Sequence, residues 1–191
     1  MVTRHSRPGP GAVRIESGTL KGRSLAVPPG ARPTEARVRG ALFSIWAERL
    51  EGAHLLDLYS GSGAIGIEAI SRGAFSATLV EGDRRAVAVL RQNLRLAPPG
   101  SARLLTRPAG EAMELLVAAG ERFDLIFADP PYAAGLEVPV LQALEAIAAP
   151  GAELAIEHPR RSAAPDPGGR WVRREERRYG ETALTFFGLS S

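Results

Sequence analysis

The sequence predicts an α/β fold, a mainly parallel seven-stranded sheet with helices on both faces, a C-terminal antiparallel hairpin, and a small N-terminal β-hairpin plus helix. Three observations predict it. Short apolar runs alternate with segments of helical periodicity between residues 54 and 157, the order of consecutive βαβ units. The first of these strands passes into its helix through a glycine-rich turn. The last two runs, Trp171–Tyr179 and Thr182–Phe187, have only Gly180 and Glu181 between them, too short a link for a crossover, so they pair antiparallel.

The elements follow in order. Residues 1–12 are basic and rich in Pro and Gly and read as a disordered tail. Val13 to Val27 forms two short strands around a Gly18–Gly22 turn, and Pro28-Pro29-Gly30 ends the hairpin. Val38, Leu42, Ile45, Trp46 and Leu50 recur at helical spacing, with Thr34 after Pro33 as the expected N-cap. Strands are then expected at His54–Leu58, Ala77–Glu81, Arg103–Thr106, Phe123–Ala128 and Glu153–Glu157. Helices are expected at Ala64–Ser71, Arg84–Leu96, Glu111–Ala118 and Leu136–Ile147. The division expected is thus a tail (1–12), a hairpin-and-helix extension (13–50) and one α/β domain (51–191).

Composition narrows the function classes. With 191 residues, 45% hydrophobic and 24% charged, the chain has the makeup of a globular protein with a sizeable core. No apolar run approaches the roughly 20 residues that span a bilayer, and the N-terminus has no apolar signal core. The absence of cysteine excludes a disulfide framework and a thiolate zinc site and is compatible with a reducing cytosol. A cytoplasmic protein without metal or membrane is expected, and nothing demands more than a monomer. Charge is segregated: residues 1–39 carry eight cations and two acids, 40–158 nine and fifteen, and 159–191 seven and four. Two basic ends around an acidic middle suggest a polyanionic partner touched by the ends. Arg14, Lys21, Arg23, Arg32, Arg37 and Arg39 are the candidate phosphate contacts, about half of them expected to be ordinary surface or capping residues.

Three motifs carry the chemistry. Asp57-Leu-Tyr-Ser60-Gly61-Ser-Gly63-Ala-Ile-Gly66 ends a strand, turns on glycines and opens a helix. Ligands sit outside the carboxyl ends of such strands, and glycine lets the backbone approach them closely. The spacing also fits a dinucleotide fold, so alone it is weak. Glu81 ends the next strand, where an acid accepts hydrogen bonds from ribose hydroxyls, so the ligand carries an adenosine-like group. Asp83 is expected to cap the following helix. Glu111 is a candidate adenine contact and equally a first-turn helix acid. The third motif, Asp129-Pro130-Pro131-Tyr132, follows an apolar strand directly. Two prolines stiffen the turn and offer carbonyls without N–H groups. An exocyclic amine is a poor nucleophile because its lone pair is delocalised into the base. The Asp129 carboxylate and Pro130 carbonyl, gripping both N–H bonds, favour a pyramidal nitrogen, and Tyr132 can stack on a flipped-out base.

These residues resemble a known family. Asp129–Tyr132 is similar to the D/N-P-P-Y/F motif of amino-methyltransferases, Asp57–Gly63 to their S-adenosylmethionine loop, and Glu81 to their ribose-binding acid. More narrowly the chain resembles the RsmD family over residues 13–188. It does so through Arg14-Ile-x-x-Gly18, Lys21-Gly-Arg23, Arg32-Pro-Thr34, Arg37-Val-Arg39, Leu42-Phe43 and Arg178-Tyr-Gly180-Glu-Thr182-Ala. The resemblance implies a Rossmann-like class I methyltransferase that methylates guanine N2 in bacterial 16S ribosomal RNA, free or within a small ribosomal subunit or assembly intermediate. It also implies S-adenosylmethionine as cofactor and S-adenosylhomocysteine as product. Tyr59-Ser60 stands where the family often has Phe-Ala, and Glu111 where it often has Asp or Asn. Three other readings compete: a DNA adenine-N6 methyltransferase, an NAD-dependent oxidoreductase, and a non-catalytic RNA-binding assembly factor. The first lacks room for a DNA-recognition domain, the second leaves Asp129–Tyr132 unexplained, and the third is opposed by the intact motif.

Overall fold

The computed structural model describes residues 12–31, 34–131 and 138–190. The expected tail, Arg32 and Tyr132 therefore lie wholly or mainly outside the described residues. Strands β1 (Ala12–Arg14) and β2 (Ser24–Ala26) form the N-terminal hairpin, with Val13 opposite Leu25. Helix α1 spans Ala36–Ile45. The large sheet is built from β3 (His54–Leu58), β4 (Ser76–Val80), β5 (Ala102–Leu105), β6 (Phe123–Ala128), β7 (Ala148–Pro159), β8 (Trp171–Tyr179) and β9 (Thr182–Leu189). Helices α2 (Ala64–Ser71), α3 (Arg84–Asn93), α4 (Ala109–Ala118) and α5 (Val138–Ala143) connect the strands.

The strand order is β5-β4-β3-β6-β7-β9-β8. The strands from β3 to β7 pair in parallel, whereas β9 runs antiparallel between β7 and β8. The chain steps outward from β3 to β5, then returns to lay β6 on the other side of β3. This reversal opens a crevice outside the carboxyl ends of β3 and β6, the place where open α/β sheets bind ligands. Alternation along the strands sends Leu56, Leu58, Ile126, Leu154 and Ile156 to one face, beneath α4 and α5. Leu55, Leu79, Leu125, Phe127 and Ala155 go to the other, beneath α1, α2 and α3. Burial on both faces explains why these strands read as continuous apolar runs.

The N-terminal hairpin is docked against the sheet's helices. Val13, Ile15 and Leu25 pack on Ala64 and Ile67 of α2. Gly18, at φ 80, sits so close to the end of α2 that a Cβ there would lie 1.6 Å from the Ser71 carbonyl oxygen. That carbonyl accepts the Thr19 N–H at 2.7 Å. The Ser71 hydroxyl donates to the Ser17 carbonyl at 2.6 Å and accepts the Leu20 N–H at 2.9 Å.

Three expectations are corrected by this packing. The cap of α1 is Glu35, with no side-chain cap bond, because the Thr34 carbonyl accepts from Arg39 at 2.9 Å and the Thr34 side chain bonds to Glu157. The α3 helix ends at Asn93 and tightens into a 3-10 turn over Leu94–Leu96. Pro98 forces Ala97 into extended backbone, φ −72 and ψ 147. Among the described residues α5 ends at Ala143 rather than Ile147, because residues 144–147 turn the chain into β7 at Ala148.

Candidate active site

The loop after β3 is built by its own backbone and by two acids. Asp57 is buried, and its Oδ2 accepts the Gly66 N–H at 3.1 Å, tying strand end to helix start. Tyr59 takes φ 61, a left-handed conformation uncommon for a residue with a Cβ. The Ser60 hydroxyl donates to the Asp57 carbonyl at 2.6 Å. Its N–H bonds to the Val80 carbonyl at 3.0 Å, and its carbonyl accepts the Gly63 N–H at 2.7 Å. These bonds hold the loop in shape, and Ser60 also lines the cleft between the loops. Glu81 clamps the same loop: Oε2 accepts the Gly61 N–H and Oε1 the Asp83 N–H, both at 2.8 Å. A carboxylate has about four acceptor sites, so two remain for hydroxyls of a ligand.

The glycines do different work. At Gly61 (φ 52) a Cβ would enter open space, so this position borders the cavity. At Gly63 (φ 77) a Cβ would lie 2.4 Å from Leu90, and at Gly66 it would lie 2.8 Å from Leu79. These two serve helix packing. Asn93 completes the loop's support from α3, donating to the carbonyls of Ser62 and Ala26, each at 2.8 Å, and accepting the Ala26 N–H at 3.0 Å. Asp83 caps α3 as expected, accepting from the N–H groups of Arg85 and Ala86.

The loop after β6 faces this one across the crevice. A cleft between them is lined by Asp57, Tyr59, Gly61, Phe127 and Asp129, with Thr34 on its α1 side. Pro130 is buried and Pro131 exposed. Asp129 has a neighbour that sequence reasoning missed. Ala128 pairs with Ile156, so the next residue of β7, Glu157, lies beside Asp129. Glu157 is 4% exposed, and among the described residues its Oε2 has no hydrogen-bond partner. The available signal was a charged residue closing the apolar run 154–156.

Two buried carboxyls, Asp57 and Glu157, and the half-buried Asp129 thus share one rim. Burial pushes Asp57 up to about 8 despite the Gly66 N–H, and the charges of Asp129 and Glu81 push the same way. Burial pushes Asp129 up to about 7. Burial also pushes Glu157 up to about 8, helped by the Asp129 charge and opposed by the Thr34 hydrogen bond. A site that disfavours its own negative charges favours groups that donate hydrogen bonds or carry positive charge. The glycine loop, the acid with spare acceptor sites and the open Gly61 cradle fit the cationic nucleoside expected of it.

The expected basic contacts divide. Lys21, Arg23 and Arg37 are exposed, and Arg37 stacks on Tyr179 at 5.5 Å. Arg14 is half-buried. Arg39 is 2% exposed and does not join them, which corrects its assignment as a phosphate contact. It pairs with buried Glu68 at 3.5 Å and donates to the carbonyls of Thr34 and Arg14. Glu68 also pairs with Arg72 at 2.5 Å. Glu111 is exposed in the first turn of α4, away from the cavity lining.

Known proteins share this arrangement of chain. The family model described as conserved hypothetical protein 95 matches residues 13–188. Ribosomal RNA small subunit methyltransferase D of Escherichia coli K12 is 42% identical over 139 residues, 72% of this chain and 69% of the relative. An Escherichia coli structure described as a candidate methyltransferase superposes with TM-score 0.80 at 35% identity, covering 95% of this chain and 99% of that one. A hypothetical protein of Thermus thermophilus superposes with TM-score 0.75 at 37% identity, covering 91% and 98%.

Proposed function

The chain belongs to the RsmD family, the one described as conserved hypothetical protein 95, and on that premise we propose that it methylates the exocyclic N2 of a guanine in 16S ribosomal RNA. The observation that carries the reading is the meeting of two loops at the sheet's reversal point. The loop from Asp57 to Ser62, clamped by Glu81 at Gly61, forms one wall, and Asp129 stands on the other. S-adenosylmethionine bound there supplies an activated methyl group, leaving the protein mainly to position the acceptor and shape its electrostatics.

Each residue then has a part. The Gly61 backbone and the spare acceptor sites of Glu81 hold the nucleoside, while Gly63, Ser60 and Asn93 keep the loop in shape. Asp57 orients the loop through Gly66, and a cationic group nearby would favour its ionised form. Asp129 and the Pro130 carbonyl accept the two N–H bonds of the target amine, aiming its lone pair at the methyl carbon. Tyr132 stacks on the extruded guanine, and Pro131 stiffens the turn between them. As the new N–C bond forms, the amine becomes acidic. Asp129, held near neutral pH by burial, is matched to receive the released proton. Arg14, Lys21, Arg23, Arg32 and Arg37 contact phosphates of the RNA.

The test is methyl transfer from labelled S-adenosylmethionine to 16S ribosomal RNA, free and in small subunits that lack the modification. The label is expected on guanine N2. Asp129→Ala is expected to lower turnover by about 100-fold or more while S-adenosylmethionine still binds. Near-normal turnover in that variant would remove Asp129 from the mechanism. Label appearing on DNA adenines instead would replace the substrate.

A further inference from the structure

The acidic middle of the chain is itself divided. Residues 84–110 carry six arginines, Arg84, Arg85, Arg91, Arg95, Arg103 and Arg107, and no acid. Residues 111–147 carry seven acids and one arginine, Arg122. A general preference for arginine in this sequence would not leave the second segment nearly empty of it. The fold turns the linear division into a spatial one. The first segment builds α3 and edge strand β5, while the second builds α4, β6 and α5. α3 covers one face of the sheet, and α4 and α5 cover the other.

Two of the three arginines on α3 share one side. Arg84 and Arg91 are seven residues apart, two helical turns, so their side chains align about 10 Å apart along the axis. Together they line an open groove floored by Gly82, Ala88 and Thr106. Gly82 lies against the backbone of Arg107 and Pro108, so the chain at Arg107 runs beside this groove. Arg84, Arg85, Arg91, Arg95 and Arg107 are all exposed, and among the described residues none has an acid within ion-pair distance. Elsewhere the pattern is mixed: among the described residues Arg122, Arg160 and Arg174 also lack an acid partner. Arg49, Arg103, Arg170, Arg173, Arg177 and Arg178 are each matched to an acid.

Both ends of α3 belong to the site's surroundings. Arg84 follows Glu81 by three residues, and Asn93 bonds to Ala26 of the hairpin and to Ser62 of the glycine loop. The hairpin carries Lys21 and Arg23, and Leu94 and Leu96 pack on its core. Uncompensated cations therefore continue from the hairpin along α3 toward the cofactor rim. We infer that the outer side of α3, through Arg84, Arg91, Arg95 and Arg107, is a binding surface for the phosphate backbone of the RNA substrate. This rests on the functional reading above and adds to it a contact surface outside the N-terminal extension. Single charges spaced along a helix suit phosphate contacts that position the RNA.

The experiment measures binding of full-length protein to transcribed 16S ribosomal RNA across about 50–400 mM potassium chloride. The triple variant Arg84→Gln/Arg91→Gln/Arg95→Gln is expected to reduce the slope of log K against log salt by about 2–3. It is expected to weaken binding at low salt by at least about 10-fold. Affinity for S-adenosylmethionine and methyl transfer at saturating RNA are expected to be unchanged. The comparison variant Arg49→Gln/Arg122→Gln/Arg170→Gln removes the same net charge from residues away from α3. An unchanged slope in the first variant, or an equal drop in both, would overturn the assignment. A wild-type protein that binds and methylates the RNA while the α3 variant behaves identically leaves the functional reading standing and removes only this surface. Wild-type protein that neither binds nor methylates ribosomal RNA removes both.

Discussion

Glu157→Gln isolates the electrostatic state of the site. Glu157 is buried beside Asp129, with Thr34 donating to it and Glu35 contributing a further negative charge. Its carboxyl is pushed from 4.5 to about 8. Between those values the folded protein binds more protons at this residue than the unfolded chain does. Stability therefore falls as pH rises through the window and is greatest at its acid end. Each pH unit inside the window removes up to about 1.4 kcal/mol for one such group. From pH 5 to pH 7 the loss is about 2–3 kcal/mol. For a chain of this length each kcal/mol moves Tm by about 2–4 °C. Glutamine keeps the shape and cannot ionise, so it removes this contribution and leaves those of Asp57 and Asp129. Thermal unfolding followed by circular dichroism, without cofactor, is expected to show wild-type Tm dropping about 4–10 °C further than the variant's over that range. The variant is expected to be the more stable protein at pH 7.5. Parallel Tm curves for the two proteins would show that Glu157 titrates as it does in water, and the buried carboxylate pair would have to be abandoned.

Two further outcomes follow from packing. Gly18→Ala places a Cβ 1.6 Å from the Ser71 carbonyl at φ 80, whereas Gly30→Ala has φ 79 and open space. The second is expected to lose only the conformational penalty of about 1–2 kcal/mol, and the first clearly more, with Tm measured on both. Equal losses would mean the hairpin is not held tightly against α2. Arg39→Ala strips a buried donor from Glu68 and from the carbonyls of Thr34 and Arg14, with an expected loss of about 3 kcal/mol or more. Exposed Arg37→Ala is expected to stay within about 1 kcal/mol of wild type in urea unfolding. The reverse ranking would contradict their placement.

The elements that declared themselves in the chain were those set by local rules. Helix α2 starts and ends where the glycine turn and the apolar spacing place it, Ala64–Ser71. Asp83 caps α3 because a short acceptor before a helix satisfies its first free N–H groups. Asp57, Glu81 and Asp129 could be assigned to one rim because parallel strands all present their carboxyl ends on the same side. Charge was legible only at coarse grain. Averaging residues 40–158 concealed an arginine segment followed by an acidic one, and only the sheet shows that they occupy opposite faces.

The rest depended on which distant residues meet. Arg39 carries the same charge as Arg37 two positions away, yet the turn of α1 sends one into the protein against Glu68 and leaves the other outside. Glu157 becomes Asp129's neighbour only because β7 pairs with β6 in a register that sets Ile156 against Ala128. Ser71 and Asn93 look like ordinary helix polars until the hairpin folds back onto them across 54 and 67 residues. Spacing within one element follows from backbone geometry and is written in the chain. Strand order, register and the closure of long loops follow from how all the elements bury their apolar faces together. Whether a given arginine or glutamate is solvated, paired or buried is decided there.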